Sequence, residues 1–328
     1  MKKILLIQTA FIGDAILVSA QLESLYKAFP NSSVSLMVRK GNESVYENHP
    51  FLQRVFVWDK ARKYDSLLEN VKKIRTEKFD LVVNFQRFGT TGLLTALSGA
   101  KETRGFSKNP FSFLFSKRFP HQIGDGTHEI NRNQTIIADV AGEQPQKPRI
   151  YPADEDFAKA AFFRSEPYIC IAPTSVWFTK QFPEHKWIKF LNHLPGKYRV
   201  YLLGAPGDKK ACNEIILKAG VKNTENLCGK LSLLQSAALM KGAIMNFVND
   251  SAPMHLCSAV DAPVTAVYCS TVPEFGFGPL STNSRIVQTR ENLTCRPCNL
   301  HGKKSCPLGH FECARSIDVA ALLNLLPS

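Results

Sequence analysis

Short apolar runs alternate along this chain with longer stretches in which apolar residues recur every third or fourth position. KILLIQ, residues 3–8, has the continuous apolar run of a buried strand. After a turn, Ala15, Val18, Leu22, Leu25 and Phe29 fall at spacings of three and four, which predicts one helix, closed by Pro30 and Asn31. Residues 33–38, 54–58 and 81–85 repeat the strand pattern, and residues 67–79 and 130–142 the helical one. Residues 142–156 then carry three prolines and no period, which marks the best linker in the chain. The alternation restarts with strands at 168–173, 199–204, 243–248 and 263–268, separated by helical stretches at 184–194, 208–220, 232–242 and 252–260.

Strands separated by helices of this length pair in parallel. The pattern predicts an α/β chain of two doubly wound, Rossmann-like parallel-sheet domains facing a cleft, residues 1–150 and 151–328. No sequence repeat links the halves, so any likeness between them is structural. A last helix over 317–326 is expected to cross back and brace the first domain.

Composition narrows the class. The chain has 328 residues, 44% hydrophobic and 21% charged, which excludes disorder and low complexity. No apolar run approaches the roughly 18 residues of a spanning helix. Lys2 and Lys3 before an apolar run resemble a signal peptide, but Gln8 and Asp14 interrupt the run, so it reads as a first strand. The formal net charge of +13 is spread over both halves, as +6 (23 basic, 17 acidic) in residues 1–160 and +7 (18 and 11) in 161–328. A diffuse positive field suits an anionic partner. Of nine cysteines, five are scattered in apolar segments, where thiols behave as small hydrophobes; with no secretion signal, a reducing compartment is the expectation.

Four turns after strands carry candidate chemistry, because ligands of doubly wound sheets sit beyond the carboxyl ends of the strands. The first is residues 9–14, TAFIGD, where Asp14 reads either as a functional carboxylate or as a helix N-cap. No G-x-G-x-x-G dinucleotide fingerprint occurs in the chain. The second is residues 248–255, VNDSAPMH: Asp250 or Ser251 caps a helix with Pro253 in its first turn, and such a helix start suits a pyrophosphate. The third is residues 172–183, where Thr174, Ser175, Thr179 and Lys180 are placed to hold a phosphate, or form a solvated loop. The fourth is GAPGD, whose Asp208 is suited to ribose hydroxyls or to capping the next helix.

Together these segments resemble glycosyltransferase family 9, the ADP-heptose:lipopolysaccharide heptosyltransferases. The resemblance runs over nearly the whole chain and is strongest in IGDAILVSAQL and NDSAPMHLCSAVDAPVTAVY; the Lys180 loop, GAPGD and ETRGF add to it. It implies a GT-B fold with an N-terminal acceptor domain and a C-terminal nucleotide-sugar domain. It also implies inverting transfer without a catalytic cofactor or metal. On this sequence it makes Asp14 the catalytic base and Lys180 a contact of the donor phosphates. Asp250, Ser251 and Ala252 become the pyrophosphate segment, with His255 on the same helix. Asp208 becomes the ribose partner, and Leu231 lines the adenine pocket. The family often has glycine where this chain has Ala252; a positive φ there would strain alanine.

The implied donor is ADP-heptose, and the implied acceptor is the anionic lipopolysaccharide core at the inner face of the cytoplasmic membrane. Closure of the domains would assemble the site. Arg54, Lys60, Arg62 and Lys63 form one basic group and Lys101, Arg104, Lys108, Lys117 and Arg118 another, and arginine pairs bidentately with carboxylate and phosphate. Arg54, Arg62, Lys63, Arg104 and Arg118 are therefore the acceptor-binding candidates. Phe106, Phe111, Phe113 and Phe115 lie among these charges, to contact lipid or to pack. Cys295, Cys298, Cys306 and Cys313 are spaced for a structural zinc site, imperfectly, or for a thiol-rich loop. The competing functions are a GT-B transferase of another nucleotide sugar and a basic nucleic-acid-binding protein with a zinc-ribbon-like tail. The second lacks aromatic-interleaved basic motifs and a recognition helix, so no nucleic-acid partner is expected.

Overall fold

The strand β1 (Lys3–Gln8) is buried over all but its first residue because β2 (Ser33–Arg39) and β4 (Leu81–Asn84) pair with it in parallel on either side. A strand flanked in this way and covered on both faces must be apolar throughout, which is why its sequence shows a run rather than an alternation. With β3 (Leu52–Trp58), β5 (Glu102–Phe106) and β6 (Lys117–Phe119) it forms a six-stranded parallel sheet of order β3-β2-β1-β4-β5-β6. Leu5, Ile7, Met37, Phe56, Val82 and Leu94 form a core on this sheet.

The computed structural model describes residues 2–327 and divides into two compact units, Met1–Tyr151 and Pro152–Ser328. The second unit contains β7 (Tyr168–Ala172), β8 (Arg199–Leu202), β9 (Thr224–Asn226), β10 (Met245–Asn249), β11 (Val264–Tyr268) and β12 (Ser284–Gln288). Their order, β12-β11-β10-β7-β8-β9, is that of the first sheet when the strands are counted within the unit. Ile169, Ile171, Phe190, Val200, Phe247 and Val267 lie in its core. Each sheet therefore has a topological switch point, between β1 and β4 in one and between β7 and β10 in the other. Neighbouring chain crossings diverge there and leave a crevice at the carboxyl ends.

Several elements differ from the sequence expectation. Each sheet has six strands rather than the four its apolar runs predict. The additional ones lie towards or at the sheet edges, where KRF (β6) and TEN (β9) have only three residues and no apolar run. The first helix is two, Ile12–Leu17 and Ser19–Ala28, and the stretch 130–142 is likewise Glu129–Gln134 followed by Ala138–Ala141. Near the C-terminus, among the described residues, only Glu312–Arg315 and Ala320–Leu323 are helical. Leu322 is buried in the second unit's core, and Tyr198 Oη donates to Pro327 O at 2.9 Å. What this segment packs on is the helix Glu184–His193 of its own unit. Among the described residues no helix is long and apolar enough to cross a membrane.

One glycine controls how the first unit's loops meet. A Cβ on Gly92 would lie 1.9 Å from Asn109 Oδ1. The same Asn109 donates to Gln86 O (2.9 Å) and Phe88 O (3.0 Å), tying the loop after β4 to the loop after β5. Gly92→Ala is expected to displace this clamp and lower stability by about 1–3 kcal/mol, the usual cost of overpacking. Urea unfolding checks it.

Candidate functional site

In the first unit the loop after β1 is built from inside outwards. Gln8, buried, accepts from Ala10 N (3.3 Å) and from Gln86 Nε2, and Asn42 Nδ2 donates to Ala10 O at 3.2 Å. The loop is thereby tied to the chain just after β4 and to that following β2. Phe11, extended at φ −68° and ψ 166°, precedes the helix Ile12–Leu17 and makes no side-chain cap. Asp14 is the third residue of that helix, so it does not cap it. As a carboxylate in the first turn it faces the positive end of the helix dipole, and its carbonyl accepts from Val18 N at 3.0 Å.

Around Asp14 the fold gathers charges that no motif announced. Glu129 is buried and bonded to Arg132 Nε at 3.0 Å. Burial, and then the negative charge of Asp14, push the Glu129 carboxyl up to about 7, against the pull of Arg132 and Arg87. Lys60 is pushed down by burial and by Arg39, with Asp14 acting in the opposite sense. His121 is pushed down to about 4 by burial and then by Arg87, Arg132 and Lys108. Asp14 and Glu129 are thus an acid pair within electrostatic reach of cations, Lys60 acting with Asp14 and Arg132 and Arg87 with Glu129.

This arrangement has a pH consequence. Between pH 4.5 and 7 the folded chain holds a proton on Glu129 that the unfolded chain has released, so this group's contribution to stability falls as pH rises through that window. Glu129→Gln is expected to remove that fall. Urea midpoints of the two proteins, subtracted at each pH, isolate it from the depressed His121, whose effect has the opposite sign.

The acceptor candidates are not brought together. Arg54 lies on β3 and pairs with Glu77 at 2.6 Å, while Arg118 lies on β6, the opposite edge of the sheet. Five strand spacings separate those edges, roughly 24 Å. Arg104 is only 1% exposed and is locked by Glu102 (2.8 Å), Ile136 O (3.1 Å) and both oxygens of Asp139. It holds β5 to the segment after Gln134 and is not available to a ligand. Arg62 pairs with Glu69 at 3.1 Å, and Lys63 lies 5.3 Å from the centre of the Tyr64 ring, both on the surface. Of the phenylalanines, Phe106 and Phe115 are buried and Phe113 is exposed.

In the second unit the loops after β7 and β10 meet. Asn249, at the end of β10 and fully buried, accepts from Phe182 N (2.8 Å) and donates to Pro173 O (2.9 Å), with longer bonds to Ala172 O and Thr174 O. This pins both ends of the 173–182 loop. Lys180 Nζ then lies 2.7 Å from Asp250 Oδ2, which also accepts from Thr271 Oγ1 at 2.7 Å. Thr179 is buried beside them, and its Oγ1 accepts from Ser270 Oγ at 2.9 Å. Of the side chains brought together here, the sequence singles out Thr179, Lys180 and Asp250 as candidates, and not Asn249 or Thr271.

Ser251, extended at φ −158°, precedes the helix Ala252–Val260, with Pro253 in its first turn. The first N–H groups of such a helix have no acceptor within it. Ala252 is simply the first helical residue and does not have a positive φ, so alanine is unstrained there. His255 is buried one turn in. Thr174 and Ser175 are half-buried in the β7 loop. Asp208 follows β8, where its Oδ2 accepts from Ala205 N at 2.7 Å and so closes its own turn. Leu231 follows β9, half-buried ahead of the helix Leu233–Gly242, whose cap is Ser232 (Oγ to Gln235 N, 3.1 Å).

The sequence of the cysteine-rich segment fits a zinc site or a thiol-rich loop, and the structure does not group its four cysteines as metal ligands. Among the described residues no three His, Cys, Asp or Glu side chains are grouped to hold a metal ion. Cys313 is buried in the core with its thiol pushed up to about 12, chiefly by burial, while Cys295 is only half-buried, its Sγ 3.9 Å from His310 Nε2. The segment packs instead on the Lys180 loop. Thr179 N donates to Lys303 O (3.1 Å), Lys303 N to Thr179 Oγ1 (2.8 Å), and the rings of Phe178 and Phe311 lie 5.2 Å apart.

Comparison with known proteins gives a consistent picture. A family model described as glycosyltransferase family 9 (heptosyltransferase) matches residues 68–308. Lipopolysaccharide heptosyltransferase 1 of Pseudomonas aeruginosa is 23% identical over 327 residues, covering 93% of this chain and 87% of that protein. Lipopolysaccharide heptosyltransferase 1 of Escherichia coli K12 is 25% identical over 308 residues, covering 89% and 95%. Among solved structures, E. coli ADP-heptose lipopolysaccharide heptosyltransferase II superposes with a TM-score of 0.79 at 19% identity, over 99% of this chain and 97% of that one.

Proposed function

The chain belongs to glycosyltransferase family 9, the heptosyltransferases, and from that premise we propose that it transfers heptose from ADP-heptose to a hydroxyl of the lipopolysaccharide inner core, with inversion and without a metal. The observation that carries the reading is the Lys180–Asp250–Thr271 chain beside the start of the helix Ala252–Val260, at the switch point of the second sheet.

A leaving ADP develops negative charge on its diphosphate. Lys180 and the N–H groups at the helix start are positioned to meet that charge, and fixed donors of this kind are the largest single contribution in many enzymes. Asp250 is itself anionic, so its role is to hold Lys180 rather than to touch the phosphates. The nucleotide extends over the carboxyl ends of β8 and β9, past Asp208 to Leu231. Thr174 and Ser175 line the phosphate end, with His255 beneath it.

Asp14 serves the other substrate. A sugar hydroxyl is a poor nucleophile and needs a base to take its proton as it attacks the anomeric carbon. Lys60, on which Asp14 acts, and Arg87, which acts on Glu129, replace the dispersed arginines as partners for an anionic acceptor. In this reading the first unit binds acceptor and the second binds donor. The protein works at the inner face of the cytoplasmic membrane, where the acceptor is presented.

Thermal-shift titration with ADP-heptose, ADP, UDP-glucose and GDP-mannose tests the donor. Stabilisation by the two adenine nucleotides, unchanged by EDTA, is the expected result. Stabilisation by a uridine or guanosine nucleotide alone would replace ADP-heptose with another donor.

A further inference from the structure

Where β11 ends, the chain leaves the sheet with its backbone carbonyls still to be satisfied, and the cysteine-rich segment satisfies four in succession. Arg296 Nε donates to Cys269 O at 2.7 Å. Its Nη2 donates to Thr271 O at 2.8 Å and, at longer range, to Tyr268 O (3.4 Å). Cys298 N donates to Ser270 O at 3.1 Å. The guanidinium is held in turn by Gln288 Oε1, 2.7 Å away at the end of β12. Buried carbonyls of this kind must find donors, and a planar guanidinium reaches several at once where an ammonium cannot.

The segment so clamped is the one that touches the candidate donor site. Thr271 Oγ1 donates to Asp250 Oδ2 (2.7 Å), which holds Lys180 Nζ (2.7 Å). Ser270 donates through both N (3.2 Å) and Oγ (2.9 Å) to Thr179, the neighbour of Lys180. Gly302 of the cysteine-rich segment also approaches the Lys180 loop, where a Cβ on it would come within 2.9 Å of Lys180 Cγ. Gly302 has φ +80°, so both its conformation and the close approach require glycine.

We propose that Arg296 is a positioning residue for donor binding: by fixing the 268–271 backbone it sets Thr271 against Asp250, and through Asp250 it sets the ammonium of Lys180. The cysteine-rich segment is then a brace that joins the 268–271 backbone to the Lys180 loop. This rests on the reading of Lys180 as a donor-phosphate ligand.

The test is a mutant cycle read by ADP calorimetry. Arg296→Met is expected to weaken ADP binding about tenfold, the order of one lost charge-assisted bond, and Arg296→Lys less. Thr271→Val is expected to weaken it similarly. If Arg296 acts through Thr271, the double variant binds ADP no more weakly than the worse single variant, within about twofold. In steady state the KM for the donor rises while the KM for the acceptor stays, a split that general loss of stability would not produce. ADP affinity within twofold of the parent in Arg296→Met, or losses that multiply in the double variant, would overturn the proposal. Should Arg296→Met fail to fold, Arg296→Lys decides in the same way: unchanged affinity overturns it. Lys180→Met in the same series separates the two claims. If it leaves ADP affinity unchanged, the donor-site reading falls and this proposal with it. If it weakens binding and Arg296→Met does not, only the role of Arg296 falls.

Discussion

Asp14→Asn is expected to lower turnover by roughly 10²–10⁴-fold, the contribution of a positioned general base, while the protein folds and binds ADP as before. The substitution keeps the size of the side chain and removes only its basicity. Asp14 is the third residue of the helix Ile12–Leu17 and not its N-cap, and asparagine keeps one side-chain oxygen as an acceptor there. The interaction with the helix dipole that is lost is worth about 0.3–1 kcal/mol. A second readout checks the placement independently. The charge of Asp14 is one cause of the raised titration of Glu129, so Asp14→Asn should shift the Glu129 carboxyl downwards in a carbon-detected NMR titration. Full turnover in the variant would move the base elsewhere.

Lys180→Met is expected to weaken ADP binding about ten- to a hundredfold, corresponding to roughly 1.5–3 kcal/mol for a lost bond to a charged group. Its effect on turnover should be larger, about 10²–10³-fold, because charge on the diphosphate grows as the glycosidic bond breaks. The variant also leaves Asp250 buried with only Thr271 as partner, so some stability is lost by a separate route. Lys180→Met/Asp250→Asn controls for this: it should regain stability and not turnover. Calorimetry and initial rates on the single and double variants read both effects.

The centres of both sheets were legible because their strands are covered on two faces and must be apolar along their length, as KILLIQ and YICIA are. The edge strands β6 and β9 were not, since three residues with one covered side leave no pattern. The identical winding of the two sheets was also invisible, because it resides in strand order and not in residue identity. At the sites, residues within a single loop were readable, Asp14, Lys180 and Asp250 among them. Their partners were not: Thr271 lies 21 residues from Asp250, and Arg296 a further 25 from Thr271. Arg104 shows the converse error. A run of basic residues looks the same whether its arginine faces a ligand or, as here, is buried between Glu102 and Asp139. Glu129 belongs to no motif and gains its unusual titration from its burial and from the charge of Asp14, both of which only the fold supplies.

The central claim is tested most directly by the product. Purified protein is incubated in EDTA with ADP-heptose and lipopolysaccharide truncated within its inner core, and the acceptor is analysed by mass spectrometry and its new anomeric centre by NMR. The account predicts one added heptose of inverted configuration, strongly reduced in Asp14→Asn and in Lys180→Met. Retention of configuration, loss of transfer on chelation, or transfer only from a different nucleotide sugar would contradict it.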